Sequence, residues 1–454
     1  MPIPKSPRRP LPAALLAGVL AAAALGGAGL AGRADAAEAA GGPDTGTRTV
    51  EYFADSHGEG RHVQVPAAVP AEIRKEKRTP ATAAPDGEVT ALQKTGPSEG
   101  RLDLVIMGDG YTADQQEDFR QDAESKLDSI FAIEPYKSYK SYKGLFNFWL
   151  VNTVSNESGV SGDPTQDVVK DTALSSYFFC DDVERLLCID EKKVDSYAQQ
   201  APDSDIVFVV SNATKYGGAG YSGLQSTAGH TGIATMSSDN DRSYLIGAHE
   251  LGHSIGLLAD EYQYAGYGRY PGAEPVEPNT SILTADGMSG AKAKWYRWLG
   301  ESDPAGGTVG AYEGGGYYEY GIYRPTQNSI MRSLDTEQFN LVGREAMIAG
   351  FYRDADVLTA RTPTTRSLRP QDHIRVDLAP LAKGLSDVRV HWYVDGVEVR
   401  RAAAERTVTG KELGARKGTH TITATAVDNS ASLRDPAAIR AASNSVSWTV
   451  KTGK

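Results

Sequence analysis

Tyr244-Leu245-Ile246-Gly247-Ala248-His249-Glu250-Leu251-Gly252-His253-Ser254-Ile255-Gly256 is the segment on which the reading of the chain turns. Leu245, Ala248, Leu251, Ile255 and Leu258 recur every third or fourth residue, so the segment predicts an amphipathic helix. His249 and His253 then stand one above the other on one face, close enough for two imidazole nitrogens to share one tetrahedral ion. Glu250, directly after the first histidine, is angled toward the place of a zinc-bound water and is the candidate general base, able to take that water's proton and pass it to a leaving amine. The pattern is H-E-x-x-H, and with 8 histidines in 454 residues the chain seldom produces it by chance.

A catalytic zinc has a third protein ligand and an open fourth position. Gly256 suggests where the helix stops, because glycine takes positive φ readily at a C-cap, and the chain then turns back toward the metal. Asp260 and Glu261 follow, and a carboxylate oxygen of either completes the set; Asp260 is preferred. A solvated acidic turn is the plainer reading of both, less attractive so close to two histidines. The expected cofactor is one Zn2+. Ca2+ is possible in so acidic a chain but is not predicted, because no loop has its ligand spacing.

Around this segment, 40% hydrophobic residues over 454 positions are enough for two or three cored domains. Asp and Glu number 58 against 47 Lys and Arg, a net charge of −11, and no basic run offsets it, so no nucleic-acid partner is expected. Arg8 and Arg9 precede an uncharged stretch rich in Ala, Leu and Gly, and Ala34-Asp35-Ala36 follows as a small-residue cleavage site. Residues 1–36 therefore read as a signal peptide, with a secreted, extracellular product and no stable membrane association after cleavage. The two cysteines, Cys180 and Cys188, are most simply one disulfide closing a short loop of an exported chain.

Residues 37–97 mix Ala, Pro, Gly and charge, with strand-like pieces at 49–53 and 61–65, and read as a pro-region or a small β-rich arm. The main domain, 98–360, opens on Leu102 to Met107, a buried-strand run. It ends in the turn Gly108-Asp109-Gly110-Tyr111, and a helix with Thr112 as its N-cap follows. Runs at 146–151 and 205–210 alternate with helical patterns, which predicts a mixed α+β or α/β architecture with a twisted sheet and the H-E-x-x-H helix. Residues 365–452 carry short alternating strands and predict a C-terminal β-sandwich of immunoglobulin-like type.

With these residues in view, the chain resembles the immunoglobulin A peptidase family of zinc metallopeptidases, in the metzincin clan. The match lies in His249 to Tyr262 (H-E-L-G-H-S-I-G-L-L-A-D-E-Y), in the strand and turn ending G-D-G-Y, in Asn156-Glu157-Ser158-Gly159 and in Tyr216-Gly217-Gly218-Ala219-Gly220. The resemblance implies a metzincin-like peptidase domain and a methionine turn beneath the zinc, for which Asn328-Ser329-Ile330-Met331-Arg332 is the candidate. Most metzincins place the third ligand six residues after the second histidine, here Ala259, which cannot bind metal; the family's own acidic pair before tyrosine points to Asp260. The clan also implies an edge strand before the active-site helix for pairing with an extended peptide, with His230 to Met236 suitably placed. His230 itself reads as packed. One of Tyr317, Tyr318, Tyr320 and Tyr323 would donate to an oxyanion.

The expected function is a secreted, monomeric zinc endopeptidase acting on proteins or peptides. In it, residues 38 to about 97 could shield the cleft through Asp55, Glu59, His57 or simple steric cover. The competing reading is a secreted binding module on a catalytically inactive peptidase scaffold, against which the intact His249, Glu250 and His253 weigh. A zinc hydrolase of cell-wall peptides is a variant of the first reading. Immunoglobulin as substrate does not follow from the family's name, since substrate choice lives in rims and loops.

Overall fold

The computed structural model describes residues 46–73, 86–136, 142–380 and 388–451; the segment read as a signal peptide lies outside them. Its centre is an eight-stranded mixed sheet made of β1 (Thr47–Phe53), β2 (Gly60–Pro66), β3 (Val89–Gln93), β4 (Leu102–Asp109), β5 (Phe146–Val151), β6 (Ile206–Ser211), β7 (Gly218–Ser222) and β8 (Gly232–Ser237). The order across the sheet is β2-β1-β7-β8-β6-β4-β5-β3. Strands β8, β6, β4 and β5 run parallel, while β7, β1, β2 and β3 each pair antiparallel with a neighbour. The parallel strands β4, β5 and β6 are buried along their whole length, which is why they read as unbroken apolar runs.

Strand alternation sends successive side chains to opposite faces. On one face Leu104, Ile106, Phe208 and Met236 pack against α1 (Gln116–Ile130) and α3 (Tyr244–Gly256). On the other, Val105, Met107, Val207 and Val209 pack against α2 (Glu191–Ala198) and the loop closed by the Cys180–Cys188 disulfide. Helix α4 (Ala285–Ala291) lies in the long excursion after α3, and α5 (Leu341–Asp354) packs on α3. That crossing is close: a Cβ at Gly350 would lie 2.0 Å from the carbonyl oxygen of Ile255.

The Gly108-Asp109-Gly110-Tyr111 turn has a structural purpose. Asp109 is fully buried and accepts hydrogen bonds from Thr172 Oγ1, Leu174 N and Ser176 N, each at 2.8 Å, so it anchors the chain between β5 and the disulfide. Gly110 has φ +77°, and a Cβ there would meet the Gly159 carbonyl at 2.5 Å. Asp109→Ala would strand these three buried donors and the Ser155 hydroxyl at 3.3 Å, and is expected to cost about 3 kcal/mol or more of stability. The urea midpoint of the full chain is the measurement.

Outside the main sheet the chain forms β9 to β17 in smaller sheets. The pair β9 (Tyr312–Gly315) and β10 (Tyr318–Arg324) precedes α5 in sequence. Strands β11 (Leu358–Ala360), β12 (His373–Leu378) and β15 (Thr407–Thr409) make one sheet. Strands β13 (Val388–Val394), β14 (Val397–Glu398), β16 (Thr419–Asp428) and β17 (Ser443–Lys451) make another. Stacked Trp392 and Trp448 fill the space between them. Their core runs without a break into that under the main sheet, and Asp428 accepts from the hydroxyls of both Tyr142 and Tyr352. No helix among the described residues is long and apolar enough to cross a membrane.

Two local expectations are corrected. Helix α3 does end at Gly256, but the left-handed residue is Leu257, φ 49°; its N–H donates to the His253 carbonyl at 3.1 Å, and the Leu258 N–H donates to that of Gly252 at 3.2 Å. Gly256 is small because a Cβ there would meet Leu258 Cγ at 2.8 Å and Met347 Cγ at 3.0 Å. The strand near His230 to Met236 is β8, and it is internal. Its outer neighbour β7, Gly-Ala-Gly-Tyr-Ser, is too short and glycine-rich to show a strand period, and β7 is in turn covered by β1.

Candidate metal centre

Helix α3 is buried nearly all round, and its histidines project from one side. His249 Nδ1 lies 2.9 Å from the carbonyl oxygen of Ile330, and His253 Nδ1 lies 2.7 Å from that of Leu258. A carbonyl only accepts, so both Nδ1 atoms carry a proton, which leaves the two Nε2 atoms as the ones available to a metal, as in metal-ligating histidines oriented by an outer hydrogen bond. The two Nε2 atoms are 2.9 Å apart. With neutral imidazoles, two lone pairs at that distance repel unless positive charge stands between them.

The turn after Leu257 brings Asp260 back to the same point. Asp260 Oδ1 lies 3.2 Å from His249 Nε2 and 3.3 Å from His253 Nε2, while Oδ2 accepts from the Tyr317 hydroxyl at 2.7 Å. Glu261 faces the other way, into a polar nest of Ser329 Oγ (2.6 Å), Asn340 Nδ2 (2.9 Å) and Asn279 Nδ2 (3.0 Å). Its N–H donates to the Met331 carbonyl at 2.8 Å, tying the acidic pair to the 328–332 turn. Met331 lies directly under the helix, where a Cβ at Gly252 would be 2.4 Å from its sulfur.

A fourth group completes the cluster, and sequence reasoning missed it. Glu51, on β1, places its carboxylate 3.3 Å from His249 Nε2 and 3.5 Å from His253 Nε2. Its Oε1 accepts from the Tyr262 hydroxyl at 2.8 Å. Glu51, His249, His253 and Asp260 each turn one ligand atom inward, all within 4.8 Å of one another, and could hold a metal ion. The electrostatics agree with the donor set. Burial opposes a charged His249, but Glu51 and Asp260 outweigh it and push its pKa up to about 10. Burial likewise opposes ionised Asp260, and the two imidazoles prevail and hold it well below the carboxylate range. The pocket demands positive charge, and a divalent ion bound to neutral imidazoles supplies it.

Glu250 stands beside this group without joining it. It is 8% exposed, its Oε1 has no hydrogen-bond partner, and it faces β7, where a Cβ at Gly220 would fall 1.9 Å from that oxygen. Burial and the neighbouring Glu51 carboxylate push its pKa up to about 7. A cavity of about 310 Å³ opens beside it, lined by Tyr221, Ile233, His253 and Leu257 among others, with a mostly apolar wall.

The IgA Peptidase M64 family model matches residues 90–306 and 301–351, more than half of the chain. The chain belongs to this family. As an IgA Peptidase M64 member it is a metallopeptidase, a hydrolase whose substrates are peptides. No curated protein matches it. Among solved structures the chain is similar to the fibronectin(III)-like modules of Clostridium thermocellum CbhA, at 16% identity. That likeness covers 21% of this chain and 99% of the other with a TM-score of 0.13, too low to bear on the fold.

Within this M64 chain the structure sorts the remaining expectations. Of the four tyrosines before Met331 only Tyr317 touches the metal cluster, and Tyr262, not among them, is the other hydroxyl there. His230 is buried against Asp195 at 3.5 Å, apart from the cluster. Asp55, His57 and Glu59 lie in the turn between β1 and β2, where Glu59 pairs with Arg332 at 2.8 Å, and none belongs to the metal cluster. Only the register of β1 on β7 reveals Glu51. A lone glutamate in an alternating strand carries no local signal.

Proposed function

We propose that the chain is a secreted zinc endopeptidase of metzincin type, with zinc held by His249, His253 and Asp260 and with Glu250 as the general base. One observation carries the reading: the Nε2 atoms of two histidines and an inward carboxylate oxygen converge on one point, with a second carboxylate of raised pKa beside it, one of whose oxygens has no partner. Zinc bound there would lower the pKa of a water and polarise a carbonyl. The protein's own groups do the rest. Glu250 accepts the water's proton, a task suited to a pKa near neutrality, and returns it to the amine nitrogen of the departing half. The outer carbonyls of Ile330 and Leu258 fix the imidazole tautomers, and Tyr317 fixes Asp260. The apolar cavity beside Glu250 suits an apolar side chain of the substrate. Met331 serves as the apolar floor under the helix. The intact and partnerless Glu250 disfavours a role as mere scaffold for a binding module.

The test is metal analysis of the full chain together with casein hydrolysis. About one zinc per chain is expected, along with hydrolysis that 1,10-phenanthroline abolishes and added zinc restores. A folded chain that takes up no zinc, or one whose hydrolysis survives the chelator, sinks the assignment.

A further inference from the structure

We propose that the β1–β2 hairpin is a built-in occupant of the peptide-binding edge and that Glu51 closes the metal centre as a fourth ligand, so that this chain is the latent form of the peptidase. The inference rests on the zinc peptidase reading above. Strand β1 pairs antiparallel with β7, with Val50 opposite Tyr221 and Glu51 opposite Gly220. Gly220 is also the residue whose missing side chain makes room for Glu250. An extended chain crossing β7 at this register therefore passes directly over the general base, where a peptide to be cut has to lie.

The hairpin blocks this place twice. Its backbone takes the hydrogen-bonding edge of β7, and its Glu51 carboxylate lies 3.3 and 3.5 Å from the two imidazole Nε2 atoms. Four protein ligands saturate a tetrahedral ion, whereas a catalytic one keeps a position open. The fit is built in: Tyr262 donates to Glu51, Phe53 meets the His249 ring edge-on at 5.0 Å, and a Cβ at Gly60 would collide with Glu51 Oε1 at 2.2 Å.

The hairpin is a marginal element of the sheet, docked by Val50 and Val65 in the core on one face and Phe53 in that on the other. The family match begins at residue 90, so His249, Glu250, His253, Asp260 and β7 lie inside it and the whole hairpin lies outside. In the sheet the hairpin occupies one margin, and its departure leaves the run from β7 to β3 unbroken. Its turn is tied down by four polar contacts: Arg242 to the Ser56 carbonyl, Ser333 Oγ to the His57 carbonyl, Leu334 N to the Gly58 carbonyl, and Arg332 to Glu59. Once the hairpin moves away, the Tyr262 hydroxyl is released to face the substrate.

The test uses the full chain loaded with Co2+, whose visible absorption reports coordination, and acetohydroxamate as a small ligand for an open position. In the wild-type chain the band is expected to stay unmoved by acetohydroxamate. In Glu51→Gln it shifts on addition, and casein cleavage rises about ten- to hundredfold, the effect of losing one charge-assisted contact. Gly60→Ala, which crowds Glu51 out without changing it, is expected to act in the same direction and guards against a folding artefact of the first variant. A wild-type band that responds as readily as the variants' overturns the proposal. So does a Glu51→Gln chain that releases cobalt and cleaves no faster, since Glu51 is then an obligatory ligand. If no form binds cobalt, the peptidase reading falls as well. If Glu51→Gln opens the site but adding Glu250→Gln leaves cleavage intact, the latch stands and the assigned base does not.

Discussion

Glu250→Gln is expected to lower kcat/KM for casein by about 10²- to 10⁴-fold, the usual contribution of a positioned general base. The measurement belongs in the Glu51→Gln background, where the cleft is open. Zinc content should be unchanged, because Glu250 lies outside the four inward-facing ligands. Glutamine keeps the shape of the side chain and removes its basicity, so the loss should fall on kcat with little change in KM. A loss confined to KM would mean that Glu250 binds substrate and takes no proton. A variant that drops its zinc would mean that the carboxylate is a ligand.

Asp260→Ala should have the second largest effect. Outer-shell residues alone are worth about 10- to 100-fold in metal affinity, so losing an inward carboxylate oxygen should weaken zinc binding by more than about 100-fold. Competition with a chromogenic chelator measures it. Glu261→Gln is the control. Glu261 is as buried as Asp260, but its oxygens are taken by Ser329, Asn279 and Asn340, so its replacement should alter stability and leave zinc affinity in place. If Glu261→Gln loses the metal and Asp260→Ala keeps it, the roles of the pair are reversed.

What could be read from the sequence follows from how local each signal is. The two histidines and Glu250 declare themselves because helical periodicity converts a four-residue spacing into one face. The parallel strands β4, β5 and β6 are visible because burial on both faces makes them unbroken apolar runs. Asp260 and Glu261 were adjacent candidates, and only the direction of the turn after Leu257, a left-handed residue that nothing in the sequence marks, separates them. Glu51 was beyond reach for a different reason. It sits 198 positions from His249, and the contact depends on β1 finding β7, a strand of two glycines, an alanine, a tyrosine and a serine with no hydrophobic alternation. The turn residues Asp55, His57 and Glu59 are chemically conspicuous in the sequence. Strand alternation sends Glu51 toward the helix, whereas those three lie in the turn after β1.

The unbroken core that joins the sheets after α5 to the main sheet bears on how this gene can be cut. Tyr352 and Phe351, at the end of α5, are almost wholly shielded, and the ring of Phe351 stacks on Tyr142, whose hydroxyl reaches Asp428 far along the chain. A truncation placed just after α5, the natural choice from the family match ending at residue 351, would uncover a broad oily surface and leave both tyrosine hydroxyls without their shared acceptor. Shortened versions made that way should collect in inclusion bodies, and the practical unit for expression, labelling or crystallisation extends through β17.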